Sequence, residues 1–136
     1  MGEDEDRIRR TLSEYSQHFD DGHLDAWADL FTEDARFVVS GKVIEGRAAI
    51  RGYMASVHAA GGRGMHVTTN SLVDVDRDGG TAAASTDYLY VRPSGDGVAI
   101  IAAGRYHDRL IRDGTAWRFR ERTISMLTAA PPASDG

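Results

Sequence analysis

The sequence predicts an α+β fold in which helices come first and a long antiparallel meander follows. Apolar residues recur every three to four positions in the first part of the chain and every second position in the remainder. The run Gly61-Gly62-Arg63-Gly64 separates the two patterns. It has no lysine followed by Ser or Thr, as a phosphate-binding loop would, so we interpret it as a flexible connection. We expect the helices to cover one face of a curved sheet.

Three helices are predicted before that connection. The first ends at Asp20-Asp21-Gly22, because glycine is a natural helix terminator. A short second helix is predicted over 23–31 and a third over 47–60. Their apolar faces consist of Ile8, Leu12, Tyr15 and Phe19 in the first, Leu24, Trp27 and Leu30 or Phe31 in the second, and Ile50, Met54 and Val57 in the third.

Alternating polar and apolar residues predict strands in the rest of the chain. A strand at 35–39 and a turn with a short return strand at 41–46 precede the third helix. Four long strands follow it, separated by turns rich in Gly and Asp; they cover 65–76, 81–92, 98–112 and 116–127. We expect one domain over residues 1–130 and a disordered tail at 131–136.

Composition narrows the functional classes. The 136 residues suit one domain with a hydrophobic core. The chain has no cysteine, which excludes disulfides, thiolate nucleophiles and cysteine-ligated metals. Its net charge of −5 argues against a nucleic-acid partner. No apolar stretch suits a membrane span, and the acidic start is unlike a secretory signal, so we expect a cytoplasmic protein without a membrane partner.

His66 is the first candidate for chemistry, because its ordinary pKa suits proton transfer near neutral pH. Strict alternation along the predicted strand would place His66 on one face with Thr68, Asn70 and Leu72. The other face would consist of Val67, Thr69, Ser71, Val73 and Val75. An imidazole, a hydroxyl and an amide would then stand in a row.

Two carboxylates are unusual in their positions. Asp20 lies in the last turn of the first helix, where the helix dipole disfavours a negative charge, although it could simply shape the turn that follows. Asp87 shares a strand face with Leu89, so it needs a donor if that face is buried. The alternative is that Tyr88 and Tyr90 form the core face and Asp87 lies in water.

Several polar side chains allow both structural and functional interpretations. Tyr15 belongs to an apolar stripe, which favours packing with the hydroxyl at the rim. Arg105 and Arg122 would need carboxylate partners if they were buried. The spacing of Arg118, Arg120 and Arg122 favours one solvated strand face instead. The other histidines lack paired metal-ligand spacing, so we expect no metal site; they are His18, His23, His58 and His107.

Segments spread from residue 5 to about 127 carry a family resemblance. They are Tyr15-Ser16-Gln17-His18-Phe19-Asp20-Asp21-Gly22, Leu30-Phe31-Thr32-Glu33-Asp34-Ala35, Gly46-Arg47-Ala48-Ala49-Ile50, the strand from His66 to Asn70, Gly104-Arg105-Tyr106-His107-Asp108, and Trp117-Arg118-Phe119-Arg120-Glu121-Arg122. In this order the chain resembles the SnoaL-like branch of the nuclear transport factor 2-like superfamily, which includes scytalone dehydratase. The resemblance implies a cone-shaped barrel of strongly curved, mainly antiparallel sheet, in which three N-terminal helices help to enclose an apolar pocket.

The resemblance also implies roles for particular residues. In dehydratases and dehydrohalogenases of this kind an aspartate at the end of the first helix orients a strand histidine, and Asp20 and His66 stand at those positions. Tyr15 and Asp87 match residues of bile-acid 7α-dehydratase. Arg122 falls where hexachlorocyclohexane dehydrochlorinase has a functional arginine. These matches imply His66, Asp20 and Tyr15 as catalytic residues, and Asp87, Arg122, Asn70 and Arg105 as substrate-binding residues.

Two departures from the superfamily matter. Val39 stands where ketosteroid isomerases carry their catalytic aspartate, and Leu89 stands where limonene-epoxide hydrolase carries an aspartate. We therefore expect a cofactor-free lyase of the dehydratase type that acts on a small cyclic substrate. The alternatives are a polyketide-type cyclase or an isomerase that uses the same pocket, and a non-catalytic binding or assembly module. A homo-oligomer, dimer or trimer, is expected, because relatives assemble through their sheets.

Overall fold

A computed structural model describes residues 2–127 and confirms the predicted α+β fold. In chain order the elements are α1 Gly2–Asp20, α2 Leu24–Ala28, β1 Phe31–Val39, β2 Lys42–Glu45, α3 Arg47–Gly61, β3 Met65–Val75, β4 Thr81–Ser94, β5 Gly97–Asp113 and β6 Ala116–Met126. The predicted tail at 131–136 lies outside the described residues. None of the helices within residues 2–127 is long and apolar enough to cross a membrane.

The strands form one curved, open sheet in the order β2-β1-β6-β5-β4-β3. Strands β1 and β6 are parallel, and the other neighbouring pairs are antiparallel. Because β2 and β3 remain as edges, the sheet curves without closing into a barrel. Helix α1 packs against β3 and β6. Its C-terminal end therefore comes close to the start of β3.

The boundary between α2 and β1 differs from the prediction. The helix ends at Ala28, and the strand begins at Phe31 instead of residue 35. Phe31 pairs with Phe119 of β6, whose backbone N–H donates to the carbonyl of Leu30 across 2.7 Å. These hydrogen bonds to the sheet draw the end of the predicted helix into extended backbone, which local spacing cannot reveal.

An aromatic core lies between the helices and the sheet. Trp27, Phe31, Phe37 and Phe119 are all buried. The rings of Trp27 and Phe31 are 4.9 Å apart between centroids, and those of Phe31 and Phe119 are 5.2 Å apart. Buried aromatic pairs at this spacing pack favourably in tilted arrangements. This core anchors α2 and β1 against the sheet. A cavity lies beside it, next to α3.

A β-bulge in β3 overturns the strict alternation predicted for that strand. Thr68 pairs with Tyr88, but the next paired residue is Ser71, opposite Thr86, so β3 holds one extra residue. Since opposite residues share a face, Thr68 and Ser71 both point to the inner side with Tyr88 and Thr86. Asn70 therefore does not share the face of His66, as alternation had predicted.

A second bulge lies in β6 and corrects the prediction of one solvated arginine face. Arg109 of β5 pairs with Glu121, and the next residue, Leu110, pairs with Phe119, so Arg120 is the extra residue. Beyond the bulge the inward positions shift by one residue. Arg122 is buried as a result, whereas Arg120 stays exposed.

Candidate active site

The end of α1 meets the start of β3 through Asp20 and His66. Nδ1 of His66 lies 2.7 Å from Oδ1 of Asp20, and the backbone N–H of His66 donates to Oδ2 across 2.7 Å. Both side chains are only 12% exposed. Because a carboxylate accepts hydrogen bonds, this contact places a proton on Nδ1, and the lone pair of the neutral imidazole then lies on Nε2.

His66 lies in the wall of a cavity of about 200 Å³ that α3, β4 and β6 also line. The apolar part of the wall comes from Phe19, Val39, Met54, Val57, Ala102, Ile124 and Met126. The polar side chains are Ser40, His58, His66, Tyr88, Tyr90 and Arg92. A largely apolar pocket with a few convergent polar groups is typical of a small-molecule site.

Aromatic rings fix the imidazole of His66 within this wall. The Phe19 ring meets it nearly edge-on at 5.4 Å between centroids, and the Tyr90 ring is tilted at 4.6 Å. Tyr90 stands directly opposite His66 in the β3–β4 register. Packed rings and the carboxylate together hold the ring with Nδ1 toward Asp20, and no hydrogen bond from residues 2–127 reaches Nε2.

Tyr88 and Tyr90 line the cavity, so the core-face alternative considered for β4 is the one observed. The Tyr88 hydroxyl donates to Sδ of Met126 at 3.0 Å, and a thioether is a weak acceptor. Burial raises the pKa of Tyr88 above its ordinary value, and the charge of Arg122 lowers it in part. The hydroxyl is therefore protonated and available to a ligand. Sequence reasoning weighed Tyr88 only as a core residue.

Space for Tyr88 depends on a glycine in the neighbouring strand. Gly104 stands opposite Tyr88 in the β4–β5 register. A Cβ atom at Gly104 would collide with the backbone carbonyl of Ser125 and would also lie 2.9 Å from Cε1 of Tyr88, too close for an ordinary contact. This close approach gives Gly104 a role in shaping the site.

Tyr15, expected as a catalytic hydroxyl, lies near the site but in the core, with its ring centroid 6.4 Å from that of His66. It is 1% exposed and is not among the cavity's lining residues. Its ring packs at 5.3 Å from Trp27 and 5.4 Å from Tyr106. Burial raises the pKa of the Tyr15 hydroxyl to about 12, against the lowering influence of Arg122. Tyr15 is a core residue behind the site.

Arg122, expected as a substrate-binding residue, is also buried in the core and does not line the cavity. Its Nε lies 2.7 Å from Oδ1 of Asp108, and its Nη2 lies 2.9 Å from Oδ2. The guanidinium is stacked against three rings, with Cζ 3.7 Å from the centroid of Tyr106, 4.1 Å from that of Tyr15 and 4.3 Å from that of Phe119. Buried charges of this kind persist only when they are paired.

Asp87, Arg105 and Asn70 lie together on the outer side of the sheet. Arg105 donates from Nε to Oδ1 of Asp87 across 2.5 Å, and Asn70 reaches the same carboxylate at 3.4 Å. The hydrogen bond from Arg105 lowers the pKa of Asp87. An open depression of about 550 Å³ passes over Asp87 and Arg105 there. These three residues are therefore not in the cavity with His66, and their expected role as substrate contacts stays a prediction.

Three further polar residues of the cavity, Ser40, His58 and Arg92, were not proposed from the sequence. His58 lies on α3, with its ring 5.2 Å from that of Phe19. Arg92 follows Tyr90 by two residues on β4. The alternation that places Tyr88 and Tyr90 inward also places Arg92 inward, and this pattern is the signal that could have found it. Within residues 2–127, no three His, Asp or Glu side chains converge as metal ligands.

The fold and the histidine–carboxylate pair within a cavity define the class of nuclear transport factor 2-like α+β folds. The family model for the SnoaL-like domain matches residues 2–123, so the chain belongs to the SnoaL-like family. The resemblance inferred from the sequence is thereby confirmed. No curated protein matches the chain.

Solved structures agree with this membership. A variant of Rv3472 from Mycobacterium tuberculosis, of unknown function, is 33% identical, with a TM-score of 0.83 over 91% of this chain and 72% of that one. An NTF2-like protein from Novosphingobium aromaticivorans is 25% identical, with a TM-score of 0.81 over 94% and 84%. A protein from the same organism that bears a scytalone dehydratase name is 22% identical, with a TM-score of 0.78 over 90% and 83%, and shows likeness of fold alone.

Proposed function

We propose that this chain is a cofactor-independent lyase of the dehydratase type that acts on a small cyclic compound. The observation that carries the proposal is the 2.7 Å contact between His66 Nδ1 and Asp20 in the wall of the cavity. A carboxylate on Nδ1 fixes the tautomer and stabilises the imidazolium that forms when Nε2 takes a proton. Asp20 is therefore the positioning residue and His66 the base.

The reaction is an elimination from a β-hydroxy carbonyl compound. Nε2 of His66 takes the proton from the carbon next to the carbonyl, and the electrons of that C–H bond form the new C=C bond. The C–O bond to the β-hydroxyl breaks, and the departing oxygen receives the proton from the imidazolium and leaves as water. The base is regenerated and no external oxidant or reductant is required.

Tyr88 replaces Tyr15 as the proposed electrophile. Its hydroxyl stays protonated, because burial raises the pKa, and within residues 2–127 its one acceptor is the Met126 sulfur. Its ring centroid is 6.2 Å from that of His66. A substrate carbonyl between the two side chains would accept from Tyr88 as negative charge develops on its oxygen. Such a donor stabilises the enolate more than the ketone.

Proton removal is the step to test, because it precedes every possible product. Purified protein is incubated in D₂O with mono- and bicyclic β-hydroxy ketones. Mass spectrometry then follows deuterium at the α-carbon and loss of water. We expect both in the wild type, and a drop of about 10²–10⁴-fold in His66→Asn. His107→Asn is the matched control, because His107 lies exposed on the outer side of β5.

The outcomes separate this proposal from its alternatives. Deuterium uptake with ring closure and no water loss would favour a polyketide-type cyclase, and a shifted double bond would favour an isomerase. A non-catalytic binding module predicts that His66→Asn binds ligand as the wild type does and that neither exchanges deuterium. Normal exchange in His66→Asn would contradict the proposal.

We also propose that the chain forms a homo-oligomer through the outer side of its sheet. Met65, Val91 and Ile100 stand side by side in the register of three neighbouring strands. Met65 and Ile100 are largely exposed, as is Leu72 further along β3. Exposed apolar rows of this kind favour association. Analytical ultracentrifugation of the wild type and of Ile100→Asp measures the oligomeric state. We expect the variant to shift to monomer.

A further inference from the structure

Arg92 brings a positive charge without a carboxylate partner to the cavity. It follows Tyr88 and Tyr90 on the inward side of β4, and it lines the cavity with them. Its Nε is buried and has no hydrogen-bond partner among residues 2–127. No Asp or Glu lines the cavity. Since a buried donor without an acceptor is unfavourable, a ligand with an acceptor would improve this arrangement.

Two contacts define where the guanidinium lies. Its Cζ is 5.4 Å from the centroid of the Tyr90 ring. On the other side, a Cβ atom at Gly61 would come within 2.9 Å of Nη2. The missing side chain at the end of α3 therefore provides the space that Arg92 occupies. The guanidinium thus lies against Tyr90 and Gly61 at this end of the cavity, with its Nε unpaired among residues 2–127.

The distance from Arg92 to the base is set by the same tyrosine. The Tyr90 ring is 4.6 Å from the imidazole of His66 and 5.4 Å from Cζ of Arg92. One aromatic ring thus lies against both the proposed base and the cation. A ligand ring above Tyr90 would present one end to Nε2 of His66 and the other to the guanidinium.

We propose that Arg92 is the anion-recognition residue of this cavity and that the substrate is a cyclic compound bearing a carboxylate. The planar guanidinium fork matches a carboxylate and gives charge-assisted hydrogen bonds. The reacting carbon then lies about one ring away, beside His66. This inference rests on the proposed lyase function for the reaction but not for the binding. Arg122 also has a buried nitrogen, Nη1, without a partner among residues 2–127, but its Nε and Nη2 are paired with Asp108 and it does not line the cavity, so we place anion recognition at Arg92.

A pair of ligands that differ in charge alone tests this assignment. We would titrate ¹⁵N-labelled protein with 2-naphthoate and with 2-naphthamide and follow the spectra by NMR. The wild type is expected to bind the carboxylate about ten- to a hundredfold more tightly than the amide. The Arg92 Nε–H resonance should shift with naphthoate. Arg92→Met should lose the preference and retain amide binding, which also reports that the variant is folded.

Matched variants make the result specific. Arg105→Met removes an arginine from the outer side of the sheet and should keep the preference. Arg92→Lys should keep part of it. Equal affinity of the wild type for both ligands, no naphthoate binding at millimolar concentration, or a preference that survives in Arg92→Met would overturn the proposal. If the protein prefers the carboxylate ligand but shows no deuterium exchange, the lyase function is refuted and the anion site stands. If it exchanges deuterium but has no preference for the carboxylate ligand, only the anion site is refuted.

Discussion

Both carboxylate oxygens of Asp20 are engaged by the same residue, His66. Oδ1 lies 2.7 Å from Nδ1 of the ring, and Oδ2 accepts from the backbone N–H across 2.7 Å. The carboxylate thus fixes the backbone and the ring of His66 together. Asp20 does so from the C-terminal end of α1, where the helix dipole disfavours its charge. The pairing of Asp20 with His66 therefore orients the base, whereas the same negative charge destabilises the C-terminal end of α1.

Asp20→Asn should therefore affect the reaction far more than the fold. The amide keeps the shape but no longer holds the proton on Nδ1 or stabilises the imidazolium, so deuterium exchange should fall by about 10²–10⁴-fold. Stability should change by no more than about 1–3 kcal/mol, because lost charged hydrogen bonds are partly offset by a better helix end. Urea unfolding and the exchange assay measure the two effects. Asp21→Asn, its exposed neighbour, should change neither.

Tyr88→Phe tests the proposed electrophile. Removal of one donor from a developing oxyanion costs about 10²–10³-fold in rate. Stability should hardly change, because the hydroxyl loses only a weak bond to the Met126 sulfur. Tyr15→Phe is the informative comparison, since the sequence had favoured Tyr15 and the structure buries it away from the cavity. A larger loss of rate in Tyr15→Phe than in Tyr88→Phe would reverse our assignment.

The Arg122–Asp108 pair should dominate stability and not substrate contact. Arg122→Met leaves the Asp108 carboxylate buried without its partner, which costs about 3–5 kcal/mol. Replacing both residues, as Arg122→Met with Asp108→Leu, should recover most of that loss. Chemical unfolding measures the free energy of unfolding of the wild type, of Arg122→Met and of the double variant. Arg120→Met is the exposed control and should stay within about 0.5 kcal/mol of the wild type. A loss below about 1 kcal/mol in Arg122→Met would show that the pair is not a major contributor.

Alkaline pH should weaken the fold through its buried tyrosines. Burial raises the pKa of Tyr15 to about 12 from an ordinary value of 10.0. Below pH 10 the hydroxyl is neutral in both states, so its contribution to stability is complete. As the pH rises from about 10 to 12 the unfolded chain loses the proton first, and the free energy of unfolding falls by up to about 1.4 kcal/mol per pH unit. Burial of Tyr106 acts in the same direction.

Urea unfolding across this pH range would measure the effect. Tyr15→Phe should show a shallower decline than the wild type, because one of the responsible groups is gone. In the folded protein, the absorbance of tyrosinate from the buried tyrosines should appear at a higher pH than in the unfolded chain, because burial raises their pKa. An identical slope in the variant would contradict the role assigned to burial.

The sequence predicts those features whose determining residues lie within one short segment, and it misses those that depend on contacts between distant residues. Helix α1 is predictable because Ile8, Leu12, Tyr15 and Phe19 mark one face within a single segment. The contact between Asp20 and His66 joins residues 46 positions apart, so only the family resemblance could suggest it. Its two hydrogen bonds to one residue became apparent only with the fold.

The bulges explain most of the errors. In β3 the shift falls within the polar run Thr68-Thr69-Asn70-Ser71, where no apolar residue marks the change of face. In β6 the shift falls at Arg120, within a run whose charged residues look like one surface. Asn70 and Arg122 were misplaced for this reason. Arg92 went unnoticed because the inward face of β4 was left open, and only the choice of the Tyr88 and Tyr90 face places Arg92 inward with them.

The extra residue at positions 69–70 also divides β3 into two stretches, one that contributes to the site and one that packs in the core. His66, which lines the cavity, and Thr68, which pairs with Tyr88, precede it, whereas Ser71, Val73 and Val75 follow it and face the core. Deletion of one residue there would restore simple alternation. Either His66 would then turn outward, away from Asp20, or the two valines would turn into solvent. Chain length at this point thus determines the site as firmly as the identity of any side chain.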